Sequence, residues 1–197
     1  MAENKIIILD PGHGGDDPGA TNDKIHESWL NLKYAALIAE FITRNNFGII
    51  PVMTRYYDTT IDISKRIPPM LQFNPLCVVA IHMNSAENKE AHGFELVYSP
   101  RAGEQAYKLG GLIKSTISKM PMTLGDKPYA LTIRNDFVRK VRVLDDCAKC
   151  AIPAVLVECG FICNDKELDV LIEPRIQARY AQAIALGIAA FVNGGGK

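Results

Sequence analysis

The sequence predicts a single α/β domain whose mostly parallel or mixed sheet is largely covered by helices. Two observations carry this. Apolar runs alternate with segments of helical period from one end of the chain to the other. The length, 197 residues, suits one core, and a composition of 48% hydrophobic and 22% charged residues with 15 glycines and 11 prolines is ordinary for a globular chain. Disordered and collagen-like classes are thereby excluded. Residues 1–197 read as one domain with its core at about 5–192, and neither a repeat nor a linker interrupts them.

Residues 6–9 form the first strand, followed by a loop rich in Gly and Asp. Trp29 or Leu30, Tyr34, Leu37, Ile38 and Phe41 recur at helical spacing, which predicts a helix over 27–45 with one apolar face. Gly48 turns the chain into a strand at 49–54. Pro51 cannot donate a ladder hydrogen bond, so this strand belongs on an edge or at a bulge. Pro68 and Pro69 divide the helical pattern at 58–73 into two short pieces. β-Branched and aromatic content predicts strands at 76–81, 94–98, 141–144 and 154–157. A helix is expected over 103–119, where Leu109, Leu112, Ile113, Thr116 and Ile117 share a face. Residues 120–136 read as a surface loop, and 166–192 as two helices hinged near Pro174.

Lys and Arg number 22, as do Asp and Glu, so bulk charge offers nothing to a nucleic acid. The halves differ mildly, from −4 over residues 1–100 to +4 over the rest. No run reaches the roughly 20 apolar residues of a transmembrane helix. The N-terminal apolar run is too short for a signal-peptide core, so either export does not use the Sec route or a leader was removed, and a protein made in the cytoplasm is expected. Five cysteines, an odd number, argue against a disulfide framework and for free thiols. The assembly expected is a monomer.

Three of the most apolar runs end on a residue able to do chemistry: IIILDPGH at His13, VVAIH at His82 and AVLVE at Glu158. In open α/β sheets the functional crevice lies at the carboxyl ends of the strands, so neighbouring parallel strands would bring these three together. Imidazoles plus a carboxylate are the ligand set of a catalytic zinc, which takes three protein ligands and leaves a position for water. A further carboxylate is then needed as base. A dinucleotide loop at residues 12–17 is the rival, and it fails because Asp17 stands where the third glycine belongs, while Asp16 and Asp17 would repel a pyrophosphate. The glycines instead let the backbone curl tightly so that the His13 ring can enter a crowded site.

At these residues the chain resembles the zinc-dependent N-acetylmuramoyl-L-alanine amidases, a family of bacterial cell-wall hydrolases and phage endolysins. The resemblance spans LDPGHGGDDPGA at 9–20, the E-x-x-L-N-L run at 27–32, TR at 54–55, IHMNS at 81–85, GFE at 93–95 and PAVLVECGFICN at 153–164. It implies a six-stranded sheet flanked by helices, one zinc ion on His13, Glu27 and His82, and Glu158 as the catalytic carboxylate. It also implies peptidoglycan as substrate, cleaved at the amide joining the lactyl group of N-acetylmuramic acid to L-alanine. No nucleotide or organic cofactor is expected. With no leader or wall-binding domain in view, a phage endolysin, made in the cytoplasm and acting on the cell wall, is the leading expectation; the catalytic domain of a secreted or periplasmic bacterial amidase, or a wall-binding module without catalysis, is the alternative. Little room is left between Glu95 and Arg134 for the plugging helix of some periplasmic relatives, so activity without an activator is expected.

Other residues have plainer readings. Glu27 alone would pass for a helix-opening acid. His26 and His92 read as bland, His26 as a solvent-facing loop residue. Asn84 is a substrate-contact candidate, although a turn explains it equally well. Arg55 and Arg66 match arginines common in the family and read as structural ion pairs. Arg134 with Arg139, Lys140 and Arg142 is a candidate for stem-peptide carboxylates, with a solvated face favoured. Cys147, Cys150, Cys159 and Cys163 mimic a thiolate zinc site but read as packing residues.

Overall fold

A computed structural model describes residues 5–194; residues 1–4 and 195–197 of the expected domain lie outside the described residues. In chain order the first half contains β1 (Lys5–Pro11), β2 (Thr21–Asn22), β3 (Ile25–His26), α1 (Glu27–Arg44), β4 (Ile49–Met53), two 3-10 turns (Ile63–Lys65 and Pro68–Phe73) and β5 (Val78–Asn84). There follow β6 (Glu95–Tyr98), α2 (Glu104–Lys119), β7 (Met122–Leu124), β8 (Lys127–Tyr129), β9 (Phe137–Val138), α3 (Arg142–Lys149), β10 (Ala154–Phe161), α4 (Asp165–Leu171) and α5 (Pro174–Asn193).

Six strands form one mixed sheet in the order β4-β1-β5-β10-β6-β9. The first four run parallel, β6 is antiparallel to β10, and β9 is parallel to β6. The central strands read as unbroken apolar runs because both faces are covered. Ile7, Leu9, Val79, Ile81, Val155 and Val157 pack with α1, α2, α4 and α5, whereas Ile8, Val78, Ala80 and Leu156 pack with α3 and the second 3-10 turn. The period of two in this division is that of strand side chains. Against the first face α5 approaches α2 so closely that a Cβ on Gly187 would lie 2.6 Å from Ile113 Cα.

Pro51 lies on β4, an edge strand, where its missing N–H is tolerated. Pro68 opens the second 3-10 turn and Pro174 opens α5, positions at which no helical N–H is lost. The two pieces expected at 58–73 therefore exist, in 3-10 form.

Three expectations are corrected. Residues 141–144 do not form a strand: Val141 precedes α3, and Val143, Leu144 and Cys147 are the buried stripe of that helix. Four residues, Val141-Arg142-Val143-Leu144, are too few to separate the two periods. The sixth strand is β9, whose Phe137 and Val138 are both exposed. Residues 120–136 are not wholly loop, since β7 and β8 form a hairpin turned at Gly125, whose φ of 61° suits glycine. His26 is not a loop residue: it lies on β3, half-buried, at the N-cap of α1.

Candidate active site

The strand order brings the three polar run-endings to one end of the sheet. His82 on β5 is the register partner of Glu158 on β10, which is in turn the partner of Glu95 on β6, so three titratable side chains stand in a row on neighbouring strands. Beyond Pro11 the Gly12 N–H still bonds Ile81 O at 3.0 Å, which carries the next residue, His13, toward β5. Gly12 must lack a side chain, because a Cβ there would fall 2.1 Å from Cε1 of the His82 ring. His13 adopts a φ of 61°, uncommon for a non-glycine residue. The surrounding loop holds it there: Asp17 Oδ2 accepts from His13 Nδ1 at 2.8 Å, leaving Nε2 directed at Glu27 Oε2, 3.3 Å away. A second carboxylate fixing ring orientation in this way is the usual outer support of a metal-ligating histidine.

Glu27 enters from the first turn of α1. Its Oε1 accepts from His82 Nδ1 at 2.9 Å, from Asn31 Nδ2 at 3.1 Å and from Met83 N at 3.2 Å, and its Oε2 accepts from Ala20 N at 2.9 Å. The rings of His13 and His82 lie edge to face, 5.0 Å between centroids. One donor atom each from His13, Glu27 and His82 lies within 4.8 Å of the others, the one such group among the described residues. Burial alone would push the Glu27 carboxyl up, but the hydrogen bonds and charges of His13 and His82 outweigh it and hold the group well below the usual carboxylate range. Burial likewise pulls His13 down, and Glu27 with Asp17 outweighs it, raising the imidazole to about 9. An acid this strongly ionised between two imidazoles, on a scaffold with no room for a further side chain, fits a dication in donor chemistry and in space.

Glu158 is different. Burial raises its carboxyl to about 7 against the pull of His82 and Arg139. Arg139 NH2 donates to Oε1 at 3.1 Å, while Oε2 is buried with no hydrogen-bond partner. A carboxyl poised near neutrality with one free oxygen suits proton transfer.

Arg55 and Arg66 are buried and do not serve mainly as ion pairs. Arg55 donates to the carbonyls of Pro11, Gly12, Ser28 and Tyr57. Arg66 donates to those of Pro11 and His13 and pairs with buried Asp10 at 3.1 Å. In the basic cluster Arg139, Lys140 and Arg142 are exposed, as expected of a solvated face, and Arg134 is half-buried. Arg134 pairs with Glu95 at 2.7 Å and covers the Phe161 ring, Arg139 turns to Glu158, and Arg142 pairs with Asp146 on its own helix. Asn84 Nδ2 donates to Glu95 Oε1 at 2.5 Å, so Asn84 and Arg134 share one carboxylate. Cys147 and Cys159 pack on opposite faces of the sheet, which separates the supposed thiolate set. The sequence reading did not mark Asp17 as part of the site, and it offered Arg139 to the stem peptide rather than to Glu158.

A family model described as N-acetylmuramoyl-L-alanine amidase matches residues 7–190. The chain belongs to this family. Among curated relatives, the germination-specific N-acetylmuramoyl-L-alanine amidase of Bacillus subtilis is 25% identical over 93% of this chain and 78% of its own length. LytC of the same organism is 26% identical over 95% of this chain, which spans only 35% of that larger protein. The crystal structure of the amidase from Clostridium difficile 630 superimposes with a TM-score of 0.85 at 27% identity, covering 98% of each chain. The catalytic domain of CwlV from Bacillus (Paenibacillus) polymyxa gives 0.84 at 27% identity, over 96% of this chain and 98% of that one. The single-domain α/β architecture with a six-stranded mixed sheet is thus that of the amidases.

Proposed function

We propose that residues 1–197 form one catalytic unit, a zinc-dependent amidase cleaving peptidoglycan between the lactyl group of N-acetylmuramic acid and L-alanine. In this reading His13, Glu27 and His82 hold the ion and Glu158 is the proton carrier. The observation that carries it is the meeting of two imidazoles and one carboxylate within 4.8 Å, beside the strand that bears Glu158. Bound there, zinc supplies Lewis acidity, activating a water and polarising the scissile carbonyl. Glu158 takes the proton from the attacking water and returns it to the departing alanine nitrogen, with Arg139 holding Oε1 and leaving Oε2 free. Asp17 keeps the His13 ring aimed inward. Asn84 and Arg134, joined through Glu95 at the rim, contact the stem peptide.

The relatives named above are bacterial, which favours the catalytic domain of a bacterial cell-wall amidase over an endolysin. Among the described residues no helix is long and apolar enough to cross a membrane. The segment between Glu95 and Arg134 holds β6, α2 and the β7–β8 hairpin, and Ala106, Leu109, Ile113 and Ile117 of α2 lie in the core, which supports turnover without an activator.

Mass spectrometry of purified walls after digestion tests the reading. Peptides with N-terminal alanine and intact glycan strands are expected from the native chain and not from Glu158→Gln. Cleavage within the stem peptide would replace this reading by a peptidase, and equal wall clearing by both proteins would replace it by a binding module.

A further inference from the structure

The cluster of His13, Glu27 and His82 has two unlike rims. One carries Arg134, Arg139 and Glu95, all charged. The other, between the first turn of α1 and the segment after β4, carries aromatic rings left in solvent: Trp29 is 50% exposed, Tyr56 60% and Tyr57 78%. The rings of Trp29 and Tyr56 are fixed by hydrogen bonds, and Tyr57 by its main chain. The Trp29 indole lies on His26 with centroids 4.6 Å apart, and its Nε1 donates to Asp58 Oδ2 at 2.9 Å. Asp58 Oδ1 accepts from Gly15 N at 2.9 Å, so one carboxylate ties the indole to the loop bearing His13. The Tyr56 hydroxyl accepts from Met53 N at 3.1 Å, and Tyr56, Trp29, Leu32 and Met53 border a shallow, mainly apolar hollow of about 420 Å³. The Tyr57 carbonyl accepts from Arg55, whose guanidinium also grips Gly12 and Ser28.

Rings held this way gain nothing for the fold by standing in water, and they lose little entropy when something covers them. We propose that Trp29, Tyr56 and Tyr57 form a subsite for the glycan strand, the apolar faces of N-acetylhexosamine rings lying on the aromatic ones. This rests on the amidase reading above. The amide cleaved is joined to the sugar ring through a short lactyl group, so the strand must cross a rim adjoining the metal-ligand residues. Uncharged sugar rings, with an apolar face and hydroxyl edges, complement the aromatic rim and its Asp58 and tyrosine hydroxyls. The charged rim complements the peptide.

Trp29 is the sole tryptophan of the chain, so its emission reports on the platform directly. Titration of the intact protein with the tetramer of N-acetylglucosamine, which carries neither peptide nor charge, is expected to change that emission saturably. Tyr57→Ala should weaken the response at least fivefold, whereas Phe73→Ala, at an exposed ring elsewhere, should not. On polymeric walls Trp29→Ala should raise KM about tenfold at unchanged kcat and leave KM for a single-sugar muramyl peptide as it was. An unresponsive emission overturns the proposal, as does an equal loss on both substrates. So does sedimentation showing that Trp29→Ala converts a dimer to a monomer, because the patch then joins two copies of the chain. Glycan binding without amide cleavage would uphold the platform and sink the amidase reading; cleavage without glycan binding would do the reverse.

Discussion

The two flanks of the site are held by different means. On the flank of β1 and α1, buried arginines grip main-chain carbonyls: Arg55 reaches four and Arg66 two, beside its pair with Asp10. On the flank of β6 and β9, Arg134 and Arg139 reach carboxylates from partly solvated positions. Fastening a loop by its carbonyls fixes backbone shape, and thereby keeps His13 at its positive φ. Pairing a half-solvated guanidinium with an acid tunes charge and leaves the backbone alone. The first flank is therefore expected to govern stability, and the second turnover.

The largest expected effect is on the second flank. Glu158→Gln should lower wall hydrolysis by about 10²–10⁴-fold while zinc content, measured by atomic emission, stays near one ion per chain. Loss of the metal along with activity would show that Glu158 belongs to the ligand set. Next comes Arg66→Met on the first flank. It removes the one charged partner of the buried Asp10 carboxylate and leaves it only the Thr54 hydroxyl, so urea unfolding should show a loss of about 3–5 kcal/mol; a loss below about 1 kcal/mol would erase the contrast between the flanks.

A third effect follows pH. Because burial raises Glu158 from 4.5 to about 7, the folded chain holds this proton where the unfolded chain has released it. The metal-free protein should thus lose stability as pH rises between these values, by up to about 1.4 kcal/mol per pH unit. Denaturant midpoints against pH should show this slope in the native chain and a flatter line in Glu158→Gln. The smallest effect is that of Arg139→Ala. Its side chain is 56% exposed, so stability should change by less than about 1 kcal/mol. Wall hydrolysis should nonetheless fall, and Arg139→Lys should recover part of it.

Much of the site was legible in the sequence because the apolar runs 6–9, 76–81 and 154–157 make the polar residues that follow them conspicuous, although His82 and Glu158 lie within β5 and β10 and only His13 lies beyond its strand. Glu27 was not conspicuous in this way: an acid opening a helix is ordinary, and only the resemblance marked it. The ion-pair reading holds for Arg66, which meets Asp10, but misses the backbone carbonyls that Arg66 and above all Arg55 grip, because such acceptors leave no trace in side-chain pattern. Asp17 was visible only as an acid unsuited to a phosphate, since its use depends on the loop curling His13 back over it. At 141–144 the β-branched Val141 and Val143 on either side of Arg142 mimic a strand and conceal the start of α3. The true sixth strand, Phe137–Val138, pairs through only two residues and has no buried side chain, so it lacked the apolar signature of a strand.

The sheet ends on one side in a strand that carries Pro51 and on the other in a strand two residues long. Neither border offers a long, regular row of free amides and carbonyls for a stray chain to zip onto. An enzyme that must work among extended polymers is in this way protected from self-templated clumping by the same irregularities that make its outermost strands poor examples of their kind.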